Sequence, residues 1–94
     1  MSKLLQIIEH FGINAQQRKL QEEVFELQEA IIKKSTLGIY AETNTNDSAE
    51  ELADCFVLLN QIKEYYKIDE DYLKKIMNQK IKRTIQRIEN KYYK

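Results

Sequence analysis

The stretch that decides the fold runs from Glu22 to Asp54, with the segment EEVFE at 22–26 and the segment EELAD at 50–54. Each segment holds two carboxylates three residues apart: Glu23 with Glu26, and Glu51 with Asp54. On an α-helix, residues three apart lie on neighbouring turns and project from the same side. Two such helices packed side by side would bring four carboxylates together. Because Mg²⁺ and Mn²⁺ prefer carboxylate oxygens, the pattern predicts a metal site between two helices.

Length and composition extend the helical expectation to the whole chain. The 94 residues predict one domain, residues 1–94, and the lack of proline together with only two glycines favours helix almost throughout. We therefore expect an all-α fold. A chain this short buries a modest fraction of its surface and is marginally stable alone, so subunit association is expected as well.

The formal net charge is zero, but the charges are unevenly distributed. Between Glu22 and Asp54 there are nine acidic residues and two lysines, whereas from Tyr72 to Lys94 there are eight basic residues and one glutamate. These regions can be a metal site and a phosphate site, helices that attract each other, or solvated faces. The zero net charge predicts neither a nucleic-acid polymer nor a membrane surface as a partner.

The single cysteine, Cys55, excludes an intrachain disulfide and a cysteine-rich metal site, so a reducing cytoplasm is the expected location. No apolar run approaches the length that spans a membrane. The first residues lack the apolar core and cleavage site of a signal peptide.

Apolar residues at helical spacing predict four helices. The predicted ranges are residues 3–10, about 15–34, 48–66, and 70 to the end. Turn-forming residues between 35 and 46 predict a loop. Gly12 is a predicted C-cap, and Asn14 and Asp69 are predicted N-caps. Ser48, with a glutamate three residues later, predicts a capping box, although Asn46 is a competing cap.

Helical-wheel geometry predicts that Glu51 lies inside the apolar stripe of the third helix. With Glu51 taken as 0°, Ile62 falls at about 20° and Cys55 at about 40°. Asp54, at about 300°, borders this stripe, and Glu23 lies at the edge of the core face of the second helix. Burying an ionised carboxylate without a partner costs several kcal/mol, so a cation or a Lys or Arg side chain should meet Glu51.

Plainer interpretations of these carboxylates stay open. Glu22, Glu26 and Glu29 alone would be an ordinary solvated helix surface, and Glu51 could serve mainly in the capping box. The combination favours a site, because both carboxylate pairs border apolar faces of consecutive helices that must pack together.

The last helix carries a basic line along the edge of its apolar stripe. By the same arithmetic Lys80 falls between Leu73 and Ile76, and Arg83 and Arg87 flank it. The side chains could reach into solvent along their apolar stems, or pair with the acidic helices. Alternatively, they could bind phosphate oxygens, for which Arg and Lys are suited.

The spacing Glu23-x-x-Glu26, then 24 residues, then Glu51-x-x-Asp54 resembles the ExxE–ExxD signature of the MazG-like all-α nucleoside triphosphate pyrophosphohydrolases. Gln17 ahead of the first pair, the apolar run after the second, and the basic stretch of the last helix are also similar to that family. The resemblance covers about residues 14–90.

The resemblance implies a four-helix MazG-like bundle completed by oligomerisation as a homodimer or homotetramer. It also implies Mg²⁺-dependent hydrolysis, with Mn²⁺ as an alternative ion, of a nucleoside triphosphate to a monophosphate and pyrophosphate. The implied catalytic and metal-binding residues are Glu23, Glu26, Glu51 and Asp54. The implied substrate-binding residues are Gln17, Lys80, Arg83 and Arg87. One carboxylate, Glu23 or Glu26, would orient the attacking water.

Two other classes of function compete with this one. A non-catalytic helical oligomerisation or interaction module would use its acidic and basic faces for salt bridges between subunits. Nucleic-acid binding through the last helix is weakened by the zero net charge. No Gly-rich phosphate loop is present, and His10 is the only histidine. His10, Phe11 and Gln17 could line a base pocket.

Overall fold

The structure is a computed structural model. It describes the backbone of residues 1–37 and 45–90, and the side chains of residues 1–32 and 48–90. Within these residues the chain forms four helices and no strand, which confirms the all-α prediction. The helices are α1 (Lys3–Phe11), α2 (Ile13–Leu37), α3 (Thr45–Tyr65) and α4 (Glu70–Glu89). None of them, over the described ranges, combines the length and apolar character needed to cross a bilayer.

Local capping explains how α1 begins and ends. The Ser2 hydroxyl accepts a hydrogen bond from the Leu5 N–H at 3.1 Å, and it donates one to Glu64 on α3 at 2.8 Å. Gly12 follows α1 with a φ of 89°, and its N–H donates to the Ile8 carbonyl at 2.7 Å. This positive φ favours glycine and confirms the predicted C-cap. Because α2 begins at Ile13, the N-cap role predicted for Asn14 is wrong.

The third helix begins earlier than its sequence predicted. It starts at Thr45, so Ser48 and Asn46 both lie inside α3 and neither is its N-cap. The capping-box prediction is therefore wrong, and the Ser48 hydroxyl is instead buried, with no hydrogen-bond partner among the described residues. The predicted loop is also shorter, since α2 continues through Leu37. Its central part, residues 38–44, lies outside the described residues.

A tight turn separates α3 from α4. Lys67 has a φ of 55°, and the N–H of Ile68 donates to the Lys63 carbonyl at 3.0 Å, which is the arrangement of a Schellman cap. Asp69 then accepts a hydrogen bond from the Tyr72 N–H at 2.8 Å, as predicted for an N-cap. Among the described residues, no Cα of α4 lies within 8 Å of a Cα of α1, α2 or α3.

The core is therefore made by α1, α2 and α3 alone. The α2 and α3 helices pack against each other, and α1 packs against both. Buried apolar side chains among the described residues are few: Ile8, Cys55 and Leu58. Several large apolar side chains on α4 are about half exposed or more: Tyr72, Met77, Ile81, Ile85 and Ile88. Such an apolar helix face is usually covered by another element in a stable helical protein.

Candidate metal centre

The α2 and α3 helices run antiparallel, and their register determines which side chains meet. The buried Gln16 amide donates to the Gln61 carbonyl oxygen at 2.8 Å across the two helices. Glu23 lies seven residues after Gln16 on α2, and Asp54 lies seven residues before Gln61 on α3. Seven residues are close to two helical turns, or about 10 Å along the axis. Antiparallel packing therefore brings Glu23 opposite Asp54.

Three of the four predicted metal ligands meet at this level. Glu23, Glu51 and Asp54 each offer a carboxylate oxygen, and these oxygens all lie within 4.8 Å of one another. We call these three residues the carboxylate triad. Glu23 is buried, Glu51 is partly buried and Asp54 is exposed, so the triad runs from the helix interface to the solvent. The wheel predicted Glu51 inside the apolar stripe of α3 and Asp54 at its border; in the structure Glu51 is partly buried and Asp54 is exposed.

Two oxygens of the triad are buried. Glu23 Oε2 and Glu51 Oε2 are shielded from water, and no N–H or hydroxyl group of the described residues donates a hydrogen bond to either of them. Buried carboxylate oxygens of this kind are costly unless a proton or a cation compensates them. All donors of the triad are carboxylates, which is the ligand chemistry of Mg²⁺, Mn²⁺ and Ca²⁺. The triad therefore fits a hard divalent cation.

The fourth predicted ligand, Glu26, lies at the edge of this group. It is exposed and does not belong to the triad as defined above. Its negative charge nevertheless acts on Glu51, which stands opposite it in the antiparallel register. Glu26 could therefore add a ligand from the solvent side, whereas Glu23 occupies the interface.

The environment of Glu51 raises its pKa from an ordinary 4.5 to about 7. Removal from water is the largest cause, because it disfavours the charged form. The neighbouring Glu23 and Glu26 add to the effect through their negative charges and through hydrogen bonds that favour the protonated form. A bound cation would relieve the repulsion among these three carboxyl groups.

Cys55 borders the same cluster but is not one of its donors. Burial raises the pKa of its thiol, and the charges of Glu23, Glu51 and Asp54 raise it further. The thiol is free and 4% exposed. A thiol held protonated in this way is a poor metal ligand, so the donor set is one of oxygen atoms.

The pKa of Glu51 predicts how the stability of the metal-free protein depends on pH. A folded-state value of about 7 lies above the ordinary 4.5, so the folded chain binds a proton more tightly than the unfolded chain. The contribution to stability is then fully present at low pH and is lost as pH rises through 7. We expect the melting temperature in a chelator to fall between about pH 5.5 and about pH 8.

The control for this measurement is Glu51→Gln, which cannot ionise. Its melting temperature should lack most of the decrease, as followed by circular dichroism under the same conditions. An equal decrease in the variant would assign the pH dependence to other groups. With a saturating divalent cation, the decrease should also vanish in the unsubstituted protein, because metal and proton compete for Glu51.

A cleft of about 630 Å³ opens beside the triad, between α1, α2 and α3. Its apolar wall comes from Ile7, Phe11, Ala15, Val57 and Leu58. Its charged end comes from Arg18, Lys19, Glu22, Glu23 and Asp54. Gln16 and Gln61, which are 6% and 2% exposed, contribute amides about two helical turns from the triad. The cleft thus joins an apolar region with a few fixed polar groups to a charged end.

The predicted base pocket is reproduced only in part. Phe11 lines the cleft, and the His10 ring contacts the Phe11 ring edge-on, with the ring centres 4.6 Å apart. Gln17 does not line the cleft; its amide donates to the Tyr66 hydroxyl at 2.8 Å. The substrate-binding role of Gln17 stays a prediction, while Gln16 occupies the position beside the cleft.

The cleft also holds residues that the sequence interpretation missed. Lys19 Nζ lies 3.6 Å from Glu23 Oε1, and Arg18 lines the same charged end. A signal for Lys19 was available, since a lysine four residues before Glu23 lies on the same helix face. A signal for Gln61 was also available, because seven residues from Asp54 return it to nearly the same side of α3.

The predicted phosphate-binding residues lie on α4, away from the triad of the same chain. Lys80 and Arg83 line a second, smaller cavity of about 290 Å³ together with Ile76 and Gln79. Both are exposed, as is Arg87. Among the described residues, no Cα of α4 lies within 8 Å of a Cα of the other three helices. Within one chain, the basic residues of α4 therefore do not lie beside the triad.

Comparisons of the chain with protein-family models, with curated proteins and with solved structures found no match.

Proposed function

We propose that the protein is a Mg²⁺-dependent nucleoside triphosphate pyrophosphohydrolase of the MazG-like type. It would convert a nucleoside triphosphate and water to a nucleoside monophosphate and pyrophosphate, with Mn²⁺ as an alternative ion. The proposed location is the cytoplasm, because the only cysteine is a buried free thiol.

One observation carries the proposal: three carboxylates from two helices converge within 4.8 Å, and two of their buried oxygens have no partner. A purely structural helix interface would favour apolar or paired groups at this position, because unpaired carboxylates oppose packing. The same crowding and loss of water raise the pKa of Glu51. A protein that keeps such a cluster at a helix interface gains from binding a cation there.

Each residue has a role in this proposal. Glu23, Glu51 and Asp54 hold the metal, and Glu26 completes the set from the solvent side. Bound Mg²⁺ would supply charge stabilisation at the phosphoryl oxygens and would lower the pKa of a coordinated water. A triad carboxylate oxygen left free by the metal can accept the proton of the attacking water, and Glu23 is the most buried candidate.

The cleft supports a nucleotide as the substrate class. Its volume of about 630 Å³ lies within the range of small-molecule sites, and its apolar wall suits a base and a sugar. The Gln16 and Gln61 amides lie about 10 Å along the helices from the triad, which suits one ligand that spans both. Arg18 and Lys19 add positive charge where the phosphates would lie.

The proposal includes a homo-oligomer, either a dimer or a tetramer. The apolar face of α4 is exposed and its basic edge is complementary in charge to the acidic α2–α3 pair. A second copy of the chain is therefore the occupant we assign to that face. In such an assembly Lys80, Arg83 and Arg87 would approach the phosphates bound at the triad of a partner subunit.

A second candidate function is a non-catalytic helical interaction module. The exposed apolar face of α4 favours it, because such a face serves assembly without any chemistry. Under this function a proton on Glu51, and not a cation, would compensate the buried oxygens of the triad. This function also predicts that a divalent cation binds to the protein no more tightly than to other acidic surfaces.

The test is turnover of a nucleotide panel by the purified protein with saturating Mg²⁺ or Mn²⁺. We expect release of pyrophosphate and of the matching monophosphate in equal amounts, and no release of orthophosphate. An acidic nucleotide-binding protein without this chemistry would release neither product. Failure of all standard and modified ribo- and deoxyribonucleoside triphosphates would remove the enzyme proposal and leave the interaction module.

A further inference from the structure

Lys19 connects the carboxylate triad to the cleft. Its ammonium lies 3.6 Å from Glu23 Oε1, and its side chain also lines the charged end of the cleft. Glu23 Oε2 is buried and unpartnered, so Lys19 compensates only one of the two oxygens. The Lys19 side chain is 55% exposed whereas that of Glu23 is 11% exposed, which means that the ammonium approaches from the solvent side.

This ion pair is weak enough to be exchanged. A lysine four residues before a glutamate is the less favourable of the two helical orientations. The lysine side chain is also 55% exposed, so water competes with Glu23 for the ammonium. The helix therefore does not require the contact, and the long lysine side chain can move its ammonium into the cleft by rotating about its own bonds.

We propose that the Lys19 ammonium has two successive partners. It compensates the charge of Glu23 until a divalent cation binds to the triad. Lys19 then binds an anionic group of the ligand in the cleft. The inference rests on the proposed function, since it takes the triad as a metal site. A divalent cation at Glu23 repels the ammonium, and a phosphate in the adjacent cleft attracts it. Metal and anion would then bind cooperatively, with Lys19 as the positioning residue that couples them.

The first test measures metal binding alone. Lys19→Met removes the competing ammonium while keeping the apolar stem, so Mn²⁺ measured by calorimetry should bind about threefold more tightly, as expected for a half-exposed ion pair. Lys74→Met is the matched control, because Lys74 forms an i,i+4 pair with Glu70 at 3.9 Å on exposed surface. Its Mn²⁺ affinity should not change. Unchanged or weaker Mn²⁺ binding by Lys19→Met overturns the proposed compensation of Glu23 by Lys19.

The second test measures anion binding with the metal saturating. Inorganic triphosphate should bind Lys19→Met about tenfold more weakly than the unsubstituted protein, which corresponds to the loss of one charge-assisted hydrogen bond. Lys19→Arg should recover most of that affinity, a result that a merely structural lysine would not give. Equal triphosphate affinity in Lys19→Met and the unsubstituted protein overturns the ligand-binding role.

The two tests separate this inference from the proposed function. Neither uses turnover, so both give a result even if no nucleoside triphosphate is hydrolysed. If hydrolysis does occur, Lys19→Met should raise KM about tenfold with little change in kcat, because the lysine binds ground state and transition state alike. A lowered kcat at unchanged KM would contradict the coupling assigned to Lys19.

Discussion

Asp54→Asn and Glu51→Gln are each expected to reduce kcat for triphosphate hydrolysis on the order of 10²- to 10³-fold, the range found when one transition-state-stabilising group is removed. The physical reason is the loss of one anionic oxygen from a triad whose members lie within 4.8 Å of each other. An amide oxygen binds Mg²⁺ less strongly than a carboxylate, so the affinity for metal should fall as well. Pyrophosphate release and Mn²⁺ calorimetry measure the two effects.

Stability should move in the opposite direction from activity in Glu51→Gln. The carboxyl of Glu51 is disfavoured in its charged form by burial and by the charges of Glu23 and Glu26. A neutral amide removes that repulsion, so the metal-free variant should melt at the same or a higher temperature than the unsubstituted protein near pH 8. Trading stability for activity is a common property of active sites. A variant that instead unfolds would identify Glu51 as part of a structural network.

Glu50→Gln is the matched control for both variants. Glu50 precedes Glu51 on α3, carries the same charge and is exposed, and it projects about 100° away from Glu51. The substitution changes net charge by the same amount in the same helical turn. We expect turnover and Mn²⁺ affinity within about twofold of the unsubstituted protein. A loss as large as that of Glu51→Gln would mean that general acidity, and not the triad, supports turnover.

Ile85→Asp is expected to dissociate the oligomer and to destabilise the fold. Ile85 is 48% exposed on the apolar face of α4, among neighbours with similar exposure. If a second copy covers this face, each subunit loses about 2 kcal/mol of apolar burial, so a symmetric dimer should associate roughly 10³-fold more weakly. Sedimentation velocity over a concentration series measures this change directly.

The neighbouring residue provides a stringent control for this result. Gln86→Asp introduces the same charge one position later on α4, so its effect on the helix itself is nearly the same. Gln86 projects about 100° from Ile85, away from the apolar stripe. The Gln86→Asp protein should keep the association state of the unsubstituted chain. If the unsubstituted chain is monomeric at micromolar concentration, the second-copy assignment is wrong.

Turnover of these two variants tests the role of the basic line on α4. If Lys80, Arg83 and Arg87 act on the triad of a partner subunit, Ile85→Asp should lose activity in parallel with dissociation. Raising the protein concentration should then restore part of it, because association is governed by mass action. Activity that is independent of the association state would assign phosphate binding to Arg18 and Lys19 within one chain.

Several features of the fold were predictable because they depend on neighbouring residues. Gly12 adopts a positive φ that other residues avoid, and Asp69 caps the helix that follows it; both effects act within a few residues. The start of α3 was predicted wrongly for a related reason. Ser48 with a glutamate three residues later satisfies the local rule for a capping box, but α3 begins three residues earlier, at Thr45.

The sequence by itself determined the four helices and the presence of Glu51 on the packed face of α3, because helical periodicity and capping are local properties of the chain. The tertiary structure alone decided which side chains meet across helices. The antiparallel register of α2 and α3 brings Glu23 to Glu51 and Asp54, makes the Gln16–Gln61 pair, and forms the cleft beside Lys19. The tertiary structure also keeps α4 apart from the triad of its own chain. Register and helix direction depend on contacts between residues far apart in sequence, which no local pattern specifies.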